Sequence, residues 1–238
     1  MKQAIVIGAT SGIGRGLAER LAAAGWRVGA VGRRESLLRE LAATAPANWL
    51  YAVADVTQPA ACIAALTALV ERMGGMDLCV VCSGTGELNP TLDFALEEPA
   101  IRTNVLGWTA VTDWAYGWFE SRGEGELAVV TSVGGLRGSG AAPAYNASKA
   151  YQINYAEGLR QRAAKSASGV RVTDIRPGLV DTAMAKGEGL FWVMPVERVV
   201  DQTLRALRRG RRVAVVTRRW RVVAWLLRRL PESLYLKL

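Results

Sequence analysis

The first 25 residues restrict the fold more than any other stretch. Lys2-Gln3-Ala4-Ile5-Val6-Ile7-Gly8 reads as a short apolar strand, and Gly8-Ala9-Thr10-Ser11-Gly12-Ile13-Gly14 follows without a break. Arg15 to Ala24 then carries Leu17 and Leu21 at helical spacing and stops at Gly25. A strand, a glycine-rich turn and a helix aim backbone N–H groups and a helix N-terminus at a pyrophosphate. The spacing is G-x-x-x-G-x-G rather than the commoner G-x-G-x-x-G, so an ordinary turn of small residues is the competing reading. Strand-like runs recur at 3–8, 27–32, 49–54, 77–83, 126–132, 170–175 and 212–217, with helical stretches between them. That alternation predicts an α/β fold, a Rossmann-like doubly wound parallel sheet of about seven strands with helices on both faces. Right-handed crossovers would bring the loops carrying Gly12, Gly84, Ser132 and Pro177 to one edge, where ligands bind in such sheets.

The chain has no histidine. Ser-His-Asp and Cys-His catalysis are thereby excluded, and acid–base work near neutral pH falls to a perturbed Tyr, Lys, Cys or carboxylate. Tyr145-Asn146-Ala147-Ser148-Lys149 offers such a pair, with Ser132 thirteen residues upstream. On a helix Tyr145 and Lys149 share a face. A phenol with a pKa of about 10 is a poor base alone, and an adjacent ammonium lowers it.

Together these motifs resemble the short-chain dehydrogenase/reductase family, over nearly the whole chain. The glycine loop matches at Gly8, Gly12 and Gly14, and Asp55-Val56 matches the pair that meets the adenine ring. Cys82-Ser83-Gly84-Thr85-Gly86 stands where the family has N-N-A-G, with only Gly84 kept. Asn104 matches the helix asparagine of the catalytic tetrad, and Ser132, Tyr145 and Lys149 match its other members. Pro177-Gly178-Leu179-Val180-Asp181-Thr182 matches the segment that closes over the nicotinamide. The resemblance implies an oxidoreductase that interconverts a ketone or aldehyde and an alcohol by hydride transfer. Tyr145 would be the acid/base, Ser132 would bind the substrate oxygen, and Lys149 would tune the tyrosine and hold the ribose. Asn104 would anchor a water that relays protons to Lys149; a helix-kink or packing role is the other reading of that residue. The cofactor contacts implied are Gly8, Thr10, Ser11, Gly12, Ile13, Gly14, Asp55, Val56, Ser83, Gly84, Tyr145, Lys149, Pro177, Gly178, Val180 and Thr182. A cofactor-binding scaffold without turnover, or an isomerase or dehydratase on the same fold, are the alternatives.

The second strand ends in Gly32-Arg33-Arg34 where an NAD-selecting carboxylate would stand. A guanidinium there grips a 2′-phosphate, so NADP(H) is expected through Arg33 with Arg34 beside it. NAD(H) is the alternative, and Glu35 would be its selector. No metal site is expected: Cys79 and Cys82 lie three apart on a strand and face opposite sides, with no further ligands. Cys62 completes a set of three cysteines, which suits a reducing compartment.

The net charge of +9 is unevenly distributed. Residues 205–238 hold eleven Lys/Arg against Glu232, and the remainder is nearly neutral with nineteen basic and twenty acidic residues. The chain thus divides into a catalytic domain, 1–217, and a basic amphipathic tail, 218–238. In the tail Trp220, Val223, Leu227, Leu230 and Leu234 fall on one helical face, with Arg218, Arg221 and Arg228 away from it. Three readings stay open: an interfacial helix on anionic lipid, a contact in a homodimer or homotetramer, or packing on the chain's own lid. Nucleic acid is not expected, because the aromatics form a stripe rather than a stacking platform. Residues 183–195, with Met184, Gly187, Gly189, Phe191, Trp192 and Met194, read as that lid. The lid and tail together suggest a hydrophobic, lipid-like carbonyl substrate. No leader and no run long enough to span a bilayer is read, so a cytoplasmic protein, peripherally membrane-associated through its tail, is expected.

Overall fold

The computed structural model describes residues 1–185 and 191–237. Its centre is a parallel sheet of β1 (Gln3–Ile7), β2 (Arg27–Gly32), β3 (Trp49–Val53), β4 (Leu78–Val81), β5 (Glu124–Val130), β6 (Gly169–Pro177) and β7 (Val213–Val216). The strand order is β3-β2-β1-β4-β5-β6-β7, so the direction of winding reverses between β1 and β4. The helices are α1 (Gly12–Ala23), α2 (Glu35–Thr44), α3 (Pro59–Met73), α4 (Phe94–Ile101), α5 (Trp108–Arg122), α6 (Pro143–Lys165), α7 (Val196–Arg208), α8 (Arg218–Arg229) and α9 (Glu232–Tyr235).

The apolar runs are continuous because both faces of the sheet are covered. In β1, Ala4 and Val6 enter one layer and Ile5 and Ile7 the other. The first layer takes Leu17, Leu38, Leu41, Val199 and Leu207 from α1, α2 and α7. The second takes Leu66, Leu69, Met73, Trp108, Phe119 and Leu159 from α3, α5 and α6. Cys79 belongs to the second layer and Cys82 packs against the first, as the period of two requires. α3 shows how sequence sets helix limits: Pro59 opens it, and Gly74 closes it at φ +80°.

Strand limits differ slightly from the sequence reading. β5 starts two residues early because Glu124 and Gly125 pair with Gly169 and Val170. β6 runs on to Pro177 because Arg176 and Pro177 pair with Val215 and Val216. β4 stops at Val81, and the chain beyond Cys82 turns off to form the floor of the cleft.

Of the three readings left open for the tail, packing on the chain's own lid segment is the one the structure displays. α8 does begin at Arg218, but its Trp220–Val223–Leu227 face is turned inward. Trp220 and Ala224 are buried with Val133, and Val223 and Leu227 pack beside them with Leu179 and Met194. Arg137 completes the dock: its guanidinium donates to the carbonyls of Leu227 (2.9 Å) and Leu230 and lies 5.0 Å from the centre of the Tyr235 ring. A cation on the last carbonyls also suits the negative end of a helix. Leu234, assigned to the same stripe, is instead exposed on α9. The apolar side chains that α8 leaves in solvent are Val222, Trp225 and Leu226.

Candidate active site

The β1–α1 turn has a shape that only small residues permit. Gly8 sits at φ +90° and Gly12 at φ +54°, conformations that favour glycine. A Cβ on Gly14 would strike the carbonyl oxygen of Gly8, so the helix start and the strand end touch through bare backbone. Ser11, the N-cap of α1, makes no side-chain cap, and the first turn carries no acidic residue. The N–H groups at this helix end are therefore left for an anion.

This turn forms one wall of a cleft of about 610 Å³ along the C-terminal edge of the sheet. At one end stand Gly32, Arg33 and Arg34. Arg34 donates to Thr10 Oγ1 at 2.6 Å and Ser11 Oγ at 2.8 Å, which ties it to the glycine loop. Arg33 is largely exposed and lies 3.8 Å from Asp55 Oδ2. Glu35 faces elsewhere, accepting from Arg39 at 2.8 Å. Asp55, Val56, Ser83 and Gly84 line the middle, and the buried Ser83 hydroxyl has no partner among the described residues.

The catalytic end is built on α6. Tyr145 and Lys149 project into the cleft one helical turn apart, with the Lys149 ammonium 5.8 Å from the centre of the tyrosine ring. Ser132, just after β5, lies beside them, its hydroxyl accepting from Gly134 N at 3.0 Å. Burial raises the Tyr145 pKa, and a hydrogen bond with Ser132 opposes that rise. Lys149 is fully enclosed, and desolvation lowers its pKa to about 8 against weaker upward pulls from Cys82 and Asp174. Gly86 is required here, since a Cβ would enter the Tyr145 ring.

Asn104 is the one predicted site residue that does not line the cleft. It is buried beneath the floor in a π-helical turn, Arg102–Gly107, between α4 and α5, a deformation common near functional sites. Its side chain accepts from Thr85 N (2.9 Å) and donates to Thr85 O (2.7 Å) and Ser148 Oγ (2.9 Å). This clamps the divergent Cys82–Gly86 loop to α6. The link from Asn104 to Lys149 runs through a side chain the sequence reading passed over. Gln152 Nε2 donates to Asn104 O at 2.9 Å, and Gln152 Oε1 accepts from Lys149 Nζ at 2.9 Å. Pro99 and Thr103 are further lining residues missed. Helical spacing signals Gln152, which follows Tyr145 at i+7 and Lys149 at i+3 on one face; no local pattern signals the other two.

Pro177, Gly178, Val180 and Thr182 form the opposite wall, and the Thr182 methyl would lie 3.1 Å from a Cβ on Gly12. Behind Gly178 stands Trp220, so close that any Cβ would enter the indole. Trp220 also stacks on Phe191, centroids 5.4 Å apart, and donates to Trp192 O at 3.2 Å. Of the proposed lid, Met184 lines the cleft, while Gly187 and Gly189 lie outside the described residues. The uncapped helix end, the glycine cradle and the unpartnered Ser83 hydroxyl fit a dinucleotide along this cleft.

The short chain dehydrogenase family matches this chain over residues 2–190. An uncharacterized oxidoreductase of Myxococcus xanthus is 37% identical over 188 residues, 77% of this chain and 74% of that protein. Among solved structures, a variant of actinorhodin polyketide ketoreductase with NADPH superimposes with a TM-score of 0.80 at 26% identity. That match covers 90% of this chain and 95% of the other. The closed form of serine dehydrogenase complexed with NADP+ gives a TM-score of 0.82 at 25% identity, covering 90% and 94%. The resemblance drawn from Gly8, Gly12, Gly14, Tyr145 and Lys149 thus has an independent basis, and the chain belongs to the short-chain dehydrogenase/reductase family of NAD(P)-dependent oxidoreductases.

Proposed function

We propose that this enzyme interconverts a ketone or aldehyde and an alcohol on an apolar, lipid-like substrate, with NADP(H) as its cofactor. The observation that carries the reading is a buried, uncancelled Lys149 beside Tyr145 and Ser132 in a cleft whose far end holds two guanidinium groups. Bound in that cleft, a nicotinamide dinucleotide supplies or takes up hydride. Ser132 donates a hydrogen bond to the substrate oxygen, where negative charge develops during reduction. Tyr145 gives its hydroxyl proton to that oxygen, or removes it in the reverse direction. Lys149 keeps positive charge close enough to make the phenol a usable acid and base. Pro177 and Gly178 shape the opposite wall, and Gly8, Gly12 and Gly14 let backbone approach the pyrophosphate.

Preference for the phosphorylated cofactor is supported by Arg33 and Arg34 at the adenosine end and by the turning of Glu35 toward Arg39. The two similar structures hold NADPH and NADP+. Leu179, Met184 and Pro99 in the lining support an apolar substrate. Tyr145→Phe should abolish turnover while NADPH affinity, read by tryptophan quenching, stays near wild type; retained turnover would refute the assignment. Assembly as a homodimer or homotetramer belongs to the same proposal, and light scattering at the mass of one chain would count against it.

A second reading concerns location. No described helix is long and apolar enough to cross a membrane. Trp225, Leu226 and Val222 are exposed on α8 among Arg218, Arg221 and Arg229, a composition suited to an anionic lipid surface. Here the candidate contact is this outer face, and Trp220 takes no part in it. Co-sedimentation with phosphatidylserine vesicles should fall with added salt and with Trp225→Ala. Binding that is indifferent to both would refute it.

A further inference from the structure

Lys149 is buried with no carboxylate in contact among the described residues, yet its charge is what the tyrosine needs. An ammonium has three donors to satisfy. Val130 O takes one at 3.2 Å, and Gln152 Oε1 takes another at 2.9 Å. Gln152 is itself fully buried. Its amide is oriented by the second bond, Nε2 to Asn104 O, since a flipped amide would set its NH2 group against the ammonium. Asn104 is fixed in turn by Thr85 and Ser148, and Ser148 Oγ donates to Tyr145 O at 2.7 Å. A continuous chain of hydrogen bonds therefore runs from the Gly84 loop through Asn104 and Gln152 to the ammonium.

We propose that Gln152 is the positioning residue for Lys149, fixing the ammonium and holding its charge with a neutral acceptor so that Tyr145 feels that charge in full. The inference rests on the reading of Tyr145 as the acid/base. A carboxylate at 152 would hold the ammonium equally well but would cancel its field at the phenol, whereas an apolar side chain would leave the ammonium short of an acceptor in a desolvated site. Among the described residues the ionisable groups facing Lys149 are Tyr145 on its own helix, Cys82 beyond β4 and Asp174 on β6, the last paired with Arg176. Val130 from β5 and Asn104 from the π-helical turn present neutral groups. Gln152 is thus the contact that supports the charge without opposing it.

The test uses the apoprotein first. Lys149, labelled with 13C at Cε, is followed by NMR through a pH titration, and a Lys149→Met chain assigns its signal. Gln152→Met should lower the Lys149 midpoint by about one pH unit, the scale of a lost contact to a charged group. In turnover, kcat should fall about tenfold or more while KM for NADPH changes less, and the pH limb of kcat should move with the apoprotein midpoint. Gln152→Glu, nearly identical in volume, should instead raise the midpoint, and it carries the test if the methionine variant shows no cooperative melt. A folded variant with wild-type midpoint, pH limb and kcat would overturn the proposal and leave Gln152 a packing residue. Failure of the oxidoreductase reading looks different: the wild type would not turn over, while the apoprotein midpoint would still respond to position 152.

Discussion

Trp220→Ala tests whether the tail is a free appendage or a wall of the active site. The side chain is 6% exposed, stacks on Phe191, donates to Trp192 O and lies against Gly178. Truncating a buried tryptophan costs about 3–5 kcal/mol, the lower figure where surroundings collapse into the space. The cluster here is small, with only Val133 and Ala224 also buried among the described residues, so about 3 kcal/mol is the appropriate estimate. For a chain of this length each kcal/mol moves Tm by about 2–4 °C, giving a fall of about 6–12 °C. Scanning calorimetry of the apoprotein reads this directly. The matched control is Trp225→Ala on the same helix, 53% exposed and facing solvent. Exposed substitutions stay within about 0.5 kcal/mol, so its Tm should move by no more than about 2 °C. Trp220→Ala should also lower kcat, because Gly178 loses its backing. Equal Tm shifts for the two tryptophans, or none for Trp220, would refute the inward orientation of α8.

Lys149→Met should stabilise the apoprotein at neutral pH. The folded-state pKa of Lys149 is lowered to about 8, and an unfolded lysine titrates near about 10.4. The unfolded chain therefore binds more protons between those values, so wild-type stability gains with rising pH there. The advantage of the variant should be full below pH 8 and shrink as pH climbs toward 10.4; urea titrations showing a constant gap would refute this. Gly14→Ala drives a Cβ into Gly8 O, costs about 1–3 kcal/mol of overpacking, and should weaken NADPH binding tenfold or more by fluorescence titration. Arg34→Ala removes the bonds to Thr10 and Ser11 and should weaken NADPH more than NADH; equal losses would assign Arg34 to the loop alone.

The sheet and the cleft were legible because their signals are local. An apolar run, Gly8, Gly12 and Gly14 in sequence, and Tyr145 four before Lys149 each report a geometry fixed within a few residues. Every predicted site residue but Asn104 reaches the cleft, since strand ends in a doubly wound sheet share one edge. The tail was less legible for a definite reason. Periodicity shows that Trp220, Val223 and Leu227 share a face, but not what that face meets. The deciding partners, Val133, Gly178 and Arg137, lie forty or more residues upstream. Pro99 and Thr103 were likewise hidden, because they reach the cleft only through the path of α4 and the π-helical turn. Gln152 was visible as a neighbour of Lys149 in spacing, but its meaning depends on Asn104, forty-eight residues away.

The charges beneath the site explain why a lysine can be left uncancelled there. Asp174, on the strand next to β5, is fully buried and pulls the Lys149 pKa upward. Left free, it would draw the ammonium's proton tighter and offset its field at Tyr145. It is engaged elsewhere: Arg176 binds it at 2.6 Å and 2.7 Å, and Thr131 donates to it at 2.6 Å. A buried acid so fully bonded exerts much of its charge on its own partners. Lys149 is then left to neutral acceptors, Val130 O and Gln152 Oε1. The protein bears the desolvation of an ammonium and withholds the ion pair that would relieve it. That stabilising contact is given up in favour of a charge available to the phenol one helical turn away, which is the form a trade of stability for function takes when the acid–base group is a tyrosine.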